Sequence, residues 1–509
     1  MTPEVTEPQV AQALSRALRR ARAAQAGWAA TTPADRMKIV RRFHDVLWRR
    51  RHEVAAIVTR ESSKPFTDAL GVDVLTTLHF AKWTARHTPR FLRASWRQVS
   101  GLLFWRKRVR FEKAPVGVIG IIAPWNYPFF LPASCVLPAI ACGNTVVLKP
   151  SEVTPDSGGV LESLWLEAGL PEGVLNVVQG DGKVGAALTR AGVDKMIFTG
   201  SAAAGRKVAL ACAEQMIPCS LELGGSDAAI VLADADLRHA ADGIAWGRFA
   251  NAGQTCVAPK RVFVESAAYD GFVEAMARAV RALKVGHGDD PTSDLGPLVH
   301  AVAVDQIASQ RDDALAKGAR VVATAPVPVG DGANGHSNYF PPTLLADVTD
   351  DMRVMREEAF GPLLPLVRVR DAEEAITRAN ASVFGLSASV WTRDRARGLA
   401  VARRLDAGTV LINDAVSVVG MPDVPYGGVK TSGLGQLHGV EGLAACVKST
   451  AIIDDRFATW HQPWWFRYDL VHRAGFEAFG RLLHGATIGE RLSGVPGVLR
   501  LMVRKKGTA

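Results

Sequence analysis

Apolar residues fall into short runs set at helix-length intervals along most of the 509-residue chain. From residue 8 to about 92 the period is helical, in Ala- and Arg-rich segments, and the basic run Arg49, Arg50, Arg51 reads as a solvated helix face. Residues 96–113 are rich in arginine and aromatics and alternate in character, which predicts an extended hairpin. Then come VIGIIA, TVVLKP, VLNVVQG, KMIFTGS and SLELGG, followed by AAIVLAD, RVFVE, RVVAT, LLPLVRV, ASVWT and TVLIND. Apolar runs spaced this way predict βαβ units and parallel sheets. Two such series without an internal repeat predict two doubly wound α/β domains. Ligands of such sheets sit outside the carboxyl ends of strands, so chemistry is expected at the strand-to-loop junctions.

One stretch mimics a membrane span. Residues 115–148 contain no charge, which is long enough to cross a bilayer. Pro115, Pro124, Pro128, Pro132 and Pro138 would break a continuous transmembrane helix. A strand over 118–123, a loop over 124–128, a helix over about 129–142 and a strand over 145–148 fit better, since strands buried on both faces read as unbroken apolar runs.

Composition changes this picture little. Apolar residues make up 48% and charged residues 22%, an ordinary globular balance. The six cysteines form no C-x-x-C pair, which disfavours structural zinc and a disulfide scaffold; no metal is expected, and a reducing compartment is. The start MTPEVTEP has two acids and no apolar core, so no secretory signal is expected and the location predicted is cytoplasmic. The net charge of +10 raises the question of nucleic acid. From Arg456 onward nine Lys/Arg face three Asp/Glu, so much of the excess sits in the tail, and no zinc-finger, RNP or helix-turn-helix pattern accompanies it. No nucleic-acid partner is expected.

Five places at strand ends carry candidate chemistry. Asn126, in PWNYP, offers a non-titrating donor for an oxyanion, a role worth about 2.7–4 kcal/mol in a transition state; a turn asparagine is the competing reading. Lys149 and Glu152, in LKPSE, present a cation and an acid that could grip a ribose, with the acid favouring NAD over NADP; alone they also fit a solvated loop. The run GSAAAG at 200–205 supplies a glycine turn, the Ser201 hydroxyl and a helix N-terminus, a credible diphosphate cradle, without the G-x-G-x-x-G spacing. Glu222, in LELGG, ends an apolar strand where desolvation would raise its pKa toward general-base use; a hydrogen-bonded structural carboxylate is the alternative. Cys256, in NAGQTCVAPKR, is the one cysteine in a polar, small-residue loop suited to an accessible thiolate. The other five lie in apolar contexts where cysteine acts as a small hydrophobe.

Together these segments resemble the aldehyde dehydrogenase superfamily. PWNYP, LKPSE, FTGSAAAG, LELGG, GQTC, EEAFGP, NASVFGLSASV and PYGGVKTSGLG follow in the family's order over roughly residues 20–450. The resemblance implies that Cys256 is the nucleophile, Glu222 the general base, and Asn126 with the Cys256 backbone N–H the oxyanion hole. Lys149 and Glu152 would hold the adenosine ribose, Gly200, Ser201 and Gly205 the diphosphate, and Glu358, beside Phe360, the nicotinamide ribose, with Trp125 lining the cleft. It implies a Rossmann-like NAD domain at 1–95 and 114–222 and a doubly wound α/β catalytic domain at 223–424. A small β oligomerisation element at 96–113 and 425–453 and a basic tail at 454–509 would complete a homodimer or homotetramer. The expected reaction takes an aldehyde to the free acid with NAD, or NADP, through a Cys256 thiohemiacetal and thioester. Relatives that release acyl-CoA generally lack the glutamate, so Glu222 favours free acid as product.

Two departures from the family pattern stand out. Ser226, Asp227 and Ala228 replace a lysine and a nearby proline and would alter packing behind the general base. Glu61-Ser62-Ser63-Lys64-Pro65 replaces E-x-G-K-P and reads as a minor surface change.

The pocket expected near Cys256 includes Tyr127, Val257 and residues 416–421. No arginine cluster is evident there, which favours an apolar aliphatic or aromatic aldehyde. In the tail, Trp460, Trp464, Trp465, Phe466, Tyr468, Phe476 and Phe479 interleave with Arg467, Arg473 and Arg481. A basic, Trp-bearing amphipathic helix can lie on a membrane surface; packing on a neighbouring subunit is the equal alternative.

Overall fold

A computed structural model describes residues 7–100, 104–328, 338–456, 462, 464–466 and 468–503. Trp460, Arg467 and the last six residues lie outside the described residues.

The first apolar series builds a six-stranded sheet. Its order is Gly433–Leu434, Cys219–Glu222, Lys195–Thr199, Val118–Ile122, Thr145–Lys149, Leu175–Val177. All pairings are parallel except the edge strand Gly433–Leu434. Every residue of Val118–Ile122 and Thr145–Lys149 is buried, which is why these strands read as unbroken apolar runs. The helix Phe130–Ala141 is also buried on nearly all sides, so the uncharged stretch belongs to a protein core.

The second series builds a seven-stranded sheet, ordered Arg320–Thr324, Thr343–Ala346, Leu363–Val369, Pro259–Glu265, Asp227–Val231, Ser387–Trp391, Thr409–Ile412. It is parallel apart from the edge strand Arg320–Thr324. Thr343–Ala346 was not anticipated; its four residues follow two prolines and give too short a run to register. The helical N-terminal region comprises Glu7–Ala30, Pro33–Arg49, Arg51–Ser62 and Thr76–Phe91, with a π-helical turn at Ala69–Leu75. Thr32 caps the second helix, its side chain accepting from the Asp35 N–H, with Pro33 at the first helical position.

The chain divides into two compact units, residues 1–93 with 113–448, and 94–112 with 449–509. The first holds both sheets. In the second, Ser95–Gln98 and Lys107–Pro115 pair as the antiparallel hairpin anticipated, and Val447–Asp455 is the third strand of that sheet. The second unit also carries the tail helices Leu470–His484, Ile488–Ser493 and Val495–Val503.

The 61–65 segment is not a surface feature: Ser62, Lys64 and Pro65 are buried, and the Lys64 side chain is completely so. Ser63 closes its helix in the left-handed region (φ 59°), a conformation glycine adopts without steric cost.

Candidate active site

Cys256, Glu222 and Asn126 come from three separate strand ends and line one cavity of about 320 Å³. Asn126 follows the strand Val118–Ile122, Glu222 ends Cys219–Glu222, and Cys256 precedes Pro259–Glu265. Trp125, Gly200, Ser201, Glu358 and Phe360 line the same cavity.

The Asn126 loop is fixed from beneath. Its side-chain N–H donates to the Gln254 carbonyl at 3.0 Å, and its own carbonyl accepts from Lys64 Nζ and Asn251 Nδ2, both at 2.8 Å. One amide hydrogen thus remains for a ligand. Beside it, the Tyr127 hydroxyl lies 2.7 Å from Thr255 Oγ1, so Tyr127 sits behind the cavity wall. Val257 likewise packs behind the wall, with Leu386, Val418 and Tyr426.

The approach to Cys256 is strained. Asn251, Ala252 and Gly253 are consecutively left-handed, with φ of 52°, 53° and 77°. Gly253 is obligatory, because a Cβ there would lie 2.5 Å from the Gly361 carbonyl oxygen. Past the bend, Lys260 Nζ donates to the carbonyls of Thr255 (2.9 Å) and Cys256 (2.7 Å) and pairs with Glu358 at 3.2 Å. This buried lysine ties the nucleophile loop to the EEAFGP loop. In sequence it reads as an ordinary cation at a strand start, so its role could not be seen.

Glu222 is more than nine-tenths buried, and among the described residues neither carboxylate oxygen finds a hydrogen-bond partner. Desolvation alone pushes its pKa well above the usual carboxylate range. The alternative of a hydrogen-bonded structural carboxylate does not match this geometry. Cys256 is half-buried and lines the cavity, and desolvation pushes its thiol up to about 11. Its sulfur lies 3.3 Å from the Tyr426 hydroxyl. Tyr426, Leu437 and His438 also line the cavity. In sequence this segment shows only its PYGG and SGLG motifs, and nothing in them marks a tyrosine that will meet the nucleophile.

The residues expected at a dinucleotide form two groups. Lys149 and Glu152 pair at 2.6 Å, and Lys149 lines a neighbouring cavity of about 410 Å³ together with Phe198, Gly182 and Lys207. Ser201 caps the helix Ala202–Glu214, its Oγ accepting from Ala204 N–H, and Gly205 lies in the first turn against Leu223. On the other side, Glu358 accepts from Gly225 N–H at 3.1 Å, and a Cβ on Gly224 would fall 1.9 Å from its second oxygen. Trp125 meets Phe360 edge-on at 5.7 Å. These features make a helix-capped, glycine-lined cleft leading to Cys256, which fits a dinucleotide.

The chain is similar to known proteins over most of its length. The chain is 38% identical over 424 residues to 4,4'-diapolycopene aldehyde oxidase of Methylomonas sp, covering 83% of this chain and 78% of that one. It is 38% identical over 414 residues to the mitochondrial succinate-semialdehyde dehydrogenase of Arabidopsis thaliana, covering 80% and 76%. Among solved structures, an NAD-dependent aldehyde dehydrogenase from Sinorhizobium meliloti superposes with a TM-score of 0.84 at 33% identity, covering 90% of this chain and 89% of that one. A Mycobacterium tuberculosis aldehyde dehydrogenase complexed with NAD+ gives 0.81 at 33%, covering 87% and 90%. The model of the aldehyde dehydrogenase family matches residues 4–452, and with these relatives it establishes that the chain belongs to the aldehyde dehydrogenase family, enzymes that oxidise aldehydes to acids.

Proposed function

We propose that the chain oxidises apolar aliphatic or aromatic aldehydes to free carboxylic acids with NAD(P)+, using Cys256 as nucleophile, Glu222 as general base and Asn126 as oxyanion donor. The observation that carries this reading is Glu222: a buried carboxyl with no protein partner, lining the cavity that Cys256 also lines.

Cys256 sulfur adds to the aldehyde carbon, and the free Asn126 N–H with the Cys256 backbone N–H receives the oxyanion of the thiohemiacetal. Glu358 and Phe360 would hold the nicotinamide, which would accept the hydride that leaves the thiohemiacetal carbon as the Cys256 thioester forms. Glu222 then takes a proton from water, whose oxygen attacks the Cys256 thioester; the acid leaves and the sulfur is restored. Lys149 and Glu152 would hold the ribose, and Gly200, Ser201 and Gly205 the diphosphate. The Glu152 charge, paired with Lys149, favours NAD, while Lys149 and Lys207, which line one cavity, allow NADP.

The cavity wall supports the substrate class proposed. Leu131, Cys135, Tyr426 and Leu437 line it, and among the described residues no arginine or lysine does. A carboxylated aldehyde would find no cation there. A reduction screen with NAD and NADP over an aldehyde panel tests both claims: hexanal and benzaldehyde should outperform succinate semialdehyde in kcat/KM, and Cys256→Ala should abolish turnover. Higher kcat/KM on succinate semialdehyde overturns the substrate class, and turnover by Cys256→Ala overturns the mechanism.

The domain assignment proposed is 1–95 with 114–222 for NAD binding, 223–424 for catalysis, 96–113 with 425–453 for oligomerisation and 454–509 as a tail. The strand Val447–Asp455 is an exposed sheet edge bearing Ile452 and Ile453, which suits pairing in a homodimer or homotetramer.

For the tail, a cytoplasmic membrane surface is the partner proposed. No helix among the described residues is long and apolar enough to cross a membrane. The helices Leu470–His484 and Val495–Val503 pack through small residues, Gly475 against Leu501 and Gly497 against Ala478. Leu470, Phe476, Leu483 and Leu499 are therefore left exposed, beside exposed Arg473, Arg481 and Arg500. That combination suits an anionic interface. Co-sedimentation with anionic liposomes should require residues 456–509; equal pelleting of full-length and truncated protein removes the idea.

A further inference from the structure

Tyr426 is the polar side chain of the cavity nearest the nucleophile to which the mechanism gives no part. It is buried, and its hydroxyl oxygen lies 3.3 Å from Cys256 Sγ. The ring is held from behind by the buried His438 imidazole, stacked at 5.1 Å and 23°. His438 is in turn wedged edge-on against Phe80 at 4.6 Å. Tyr426 and Leu437 exchange two backbone hydrogen bonds of 2.7 Å, which lock the segments carrying the two rings in register. Val257, Leu386 and Val418 pack around Tyr426 on the remaining side. A phenol fixed this way keeps only its hydroxyl torsion free, so it offers a donor at a set place. A thiol can donate or accept, whereas a thiolate only accepts, and hydrogen bonds to an ionised partner are the stronger ones.

We infer that Tyr426 is a further catalytic residue, whose hydroxyl donates to the Cys256 sulfur, aims it before attack and stabilises it as the thiolate, while His438 positions the phenol ring. The inference rests on the reading of Cys256 as the nucleophile. On ionisation the S–H bond breaks, the proton passes to solvent water, and the sulfur lone pair accepts the Tyr426 hydrogen; no electron is transferred. Once sulfur bonds to the aldehyde carbon its charge moves to the oxyanion, and the Tyr426 hydrogen bond weakens.

The surroundings of the sulfur agree with this assignment. Burial raises the thiol most, and the Tyr426 hydroxyl is the largest influence pulling it back, followed by Lys260, while Glu358 and Asp227 push it up. Burial first, then Cys256 and Glu222, push the Tyr426 phenol well above its ordinary range, which keeps it in its neutral, donating form. Burial drives His438 down to about 3, so it stays neutral while the thiol titrates.

The test is the rate of Cys256 alkylation by iodoacetamide from pH 7 to 12, a range that includes the inflection of the thiol, site-verified by mass spectrometry against Cys256→Ala. Tyr426→Phe keeps the ring and removes the donor. Its alkylation at a given pH should fall about tenfold or more, with the whole profile displaced upward by about one unit, the size of a hydrogen bond to a charged group. A purely structural role would change the rate without moving the profile along the pH axis. His438→Ala, which keeps the hydroxyl and loses the stack, should move the profile part of the way. Profiles of both variants coincident with that of the wild type overturn the inference. Aldehyde turnover by Cys256→Ala would instead overturn the nucleophile reading, so the two failures are distinct.

Discussion

Lys64 and Asp73 form an ion pair of 3.0 Å with neither side chain exposed, and together they hold the loop that carries Asn126. Lys64 Nζ also donates to the Asn126 carbonyl and lies 4.1 Å from the centre of the Tyr127 ring. The other Asp73 oxygen accepts the N–H groups of Phe129 and Phe130, at the start of the helix Phe130–Ala141. Asp73 itself lies in the π-helical turn Ala69–Leu75. Breaking a buried pair from one side leaves an uncompensated charge, at a cost of about 3–5 kcal/mol. Lys64→Met should be destabilised by that order in denaturant titration and should lower kcat, because Asn126 loses a carbonyl anchor. Lys64→Met with Asp73→Leu should cost less than the sum of the two single changes. Additive losses would show that the pair is not coupled.

Glu222 gives a kinetic prediction. Because its carboxylate is assigned to deacylation, Glu222→Gln should keep a first-turnover burst of reduced cofactor and lose roughly 10²–10⁴ in steady-state rate. The base must be ionised to work, and burial raises its pKa, so wild-type turnover should climb with pH on the acid limb. That limb should vanish from the residual activity of Glu222→Gln. Loss of the burst together with turnover would place Glu222 before acyl transfer.

The strands were legible because they are buried on both faces, which leaves an apolar run that needs no partner to be recognised. Asn126 and Glu222 stand out for a similar reason, as chemically distinct residues at the end of such a run, and Cys256 as the one cysteine in a polar loop before one. What holds them was not legible. Lys64 reaches Asn126 across 62 residues, Lys260 reaches Glu358 across 98, and Tyr426 reaches Cys256 across 170. A lysine or a tyrosine read along the chain carries no mark of the distant group it will meet. The 61–65 segment was misjudged on this account, since a serine and a lysine suggest a surface until the buried partner of Lys64 is known.

Ser63 offers a stabilising change. It adopts φ 59° at the helix end, and side chains with a Cβ pay roughly 1–2 kcal/mol for that conformation. Its carbonyl lies where Cβ atoms on Gly288 or Gly296 would stand, so the backbone cannot relax by moving toward them. Ser63→Gly removes the clash and gives back part of the gain as unfolded-state entropy. A net stabilisation of up to about 1 kcal/mol is expected in chemical denaturation. An equal or lower stability would mean that the serine hydroxyl offsets the strain.

Asp227 supplies a pH signature of folding. It opens the strand Asp227–Val231 where the family pattern differs, and it is buried, with Ser387 donating to one oxygen and the other unpartnered. Desolvation raises its pKa to about 7, against the opposing pull of Lys260, Ser387 and Arg261. The folded value thus lies above the unfolded one, which is about 3.9. Between those values the native state holds a proton that the unfolded chain has released, so this group's stability contribution is complete below about pH 4 and is lost as pH rises through 7. The slope approaches about 1.4 kcal/mol per pH unit in that window. Asp227→Asn keeps the shape and an acceptor for Ser387 and cannot ionise. Its stability relative to wild type should therefore increase steadily from pH 4 to 7.5 in urea titrations. Parallel wild-type and Asn curves over that range would show that Asp227 folds as the charged form, compensated by Lys260 and Arg261.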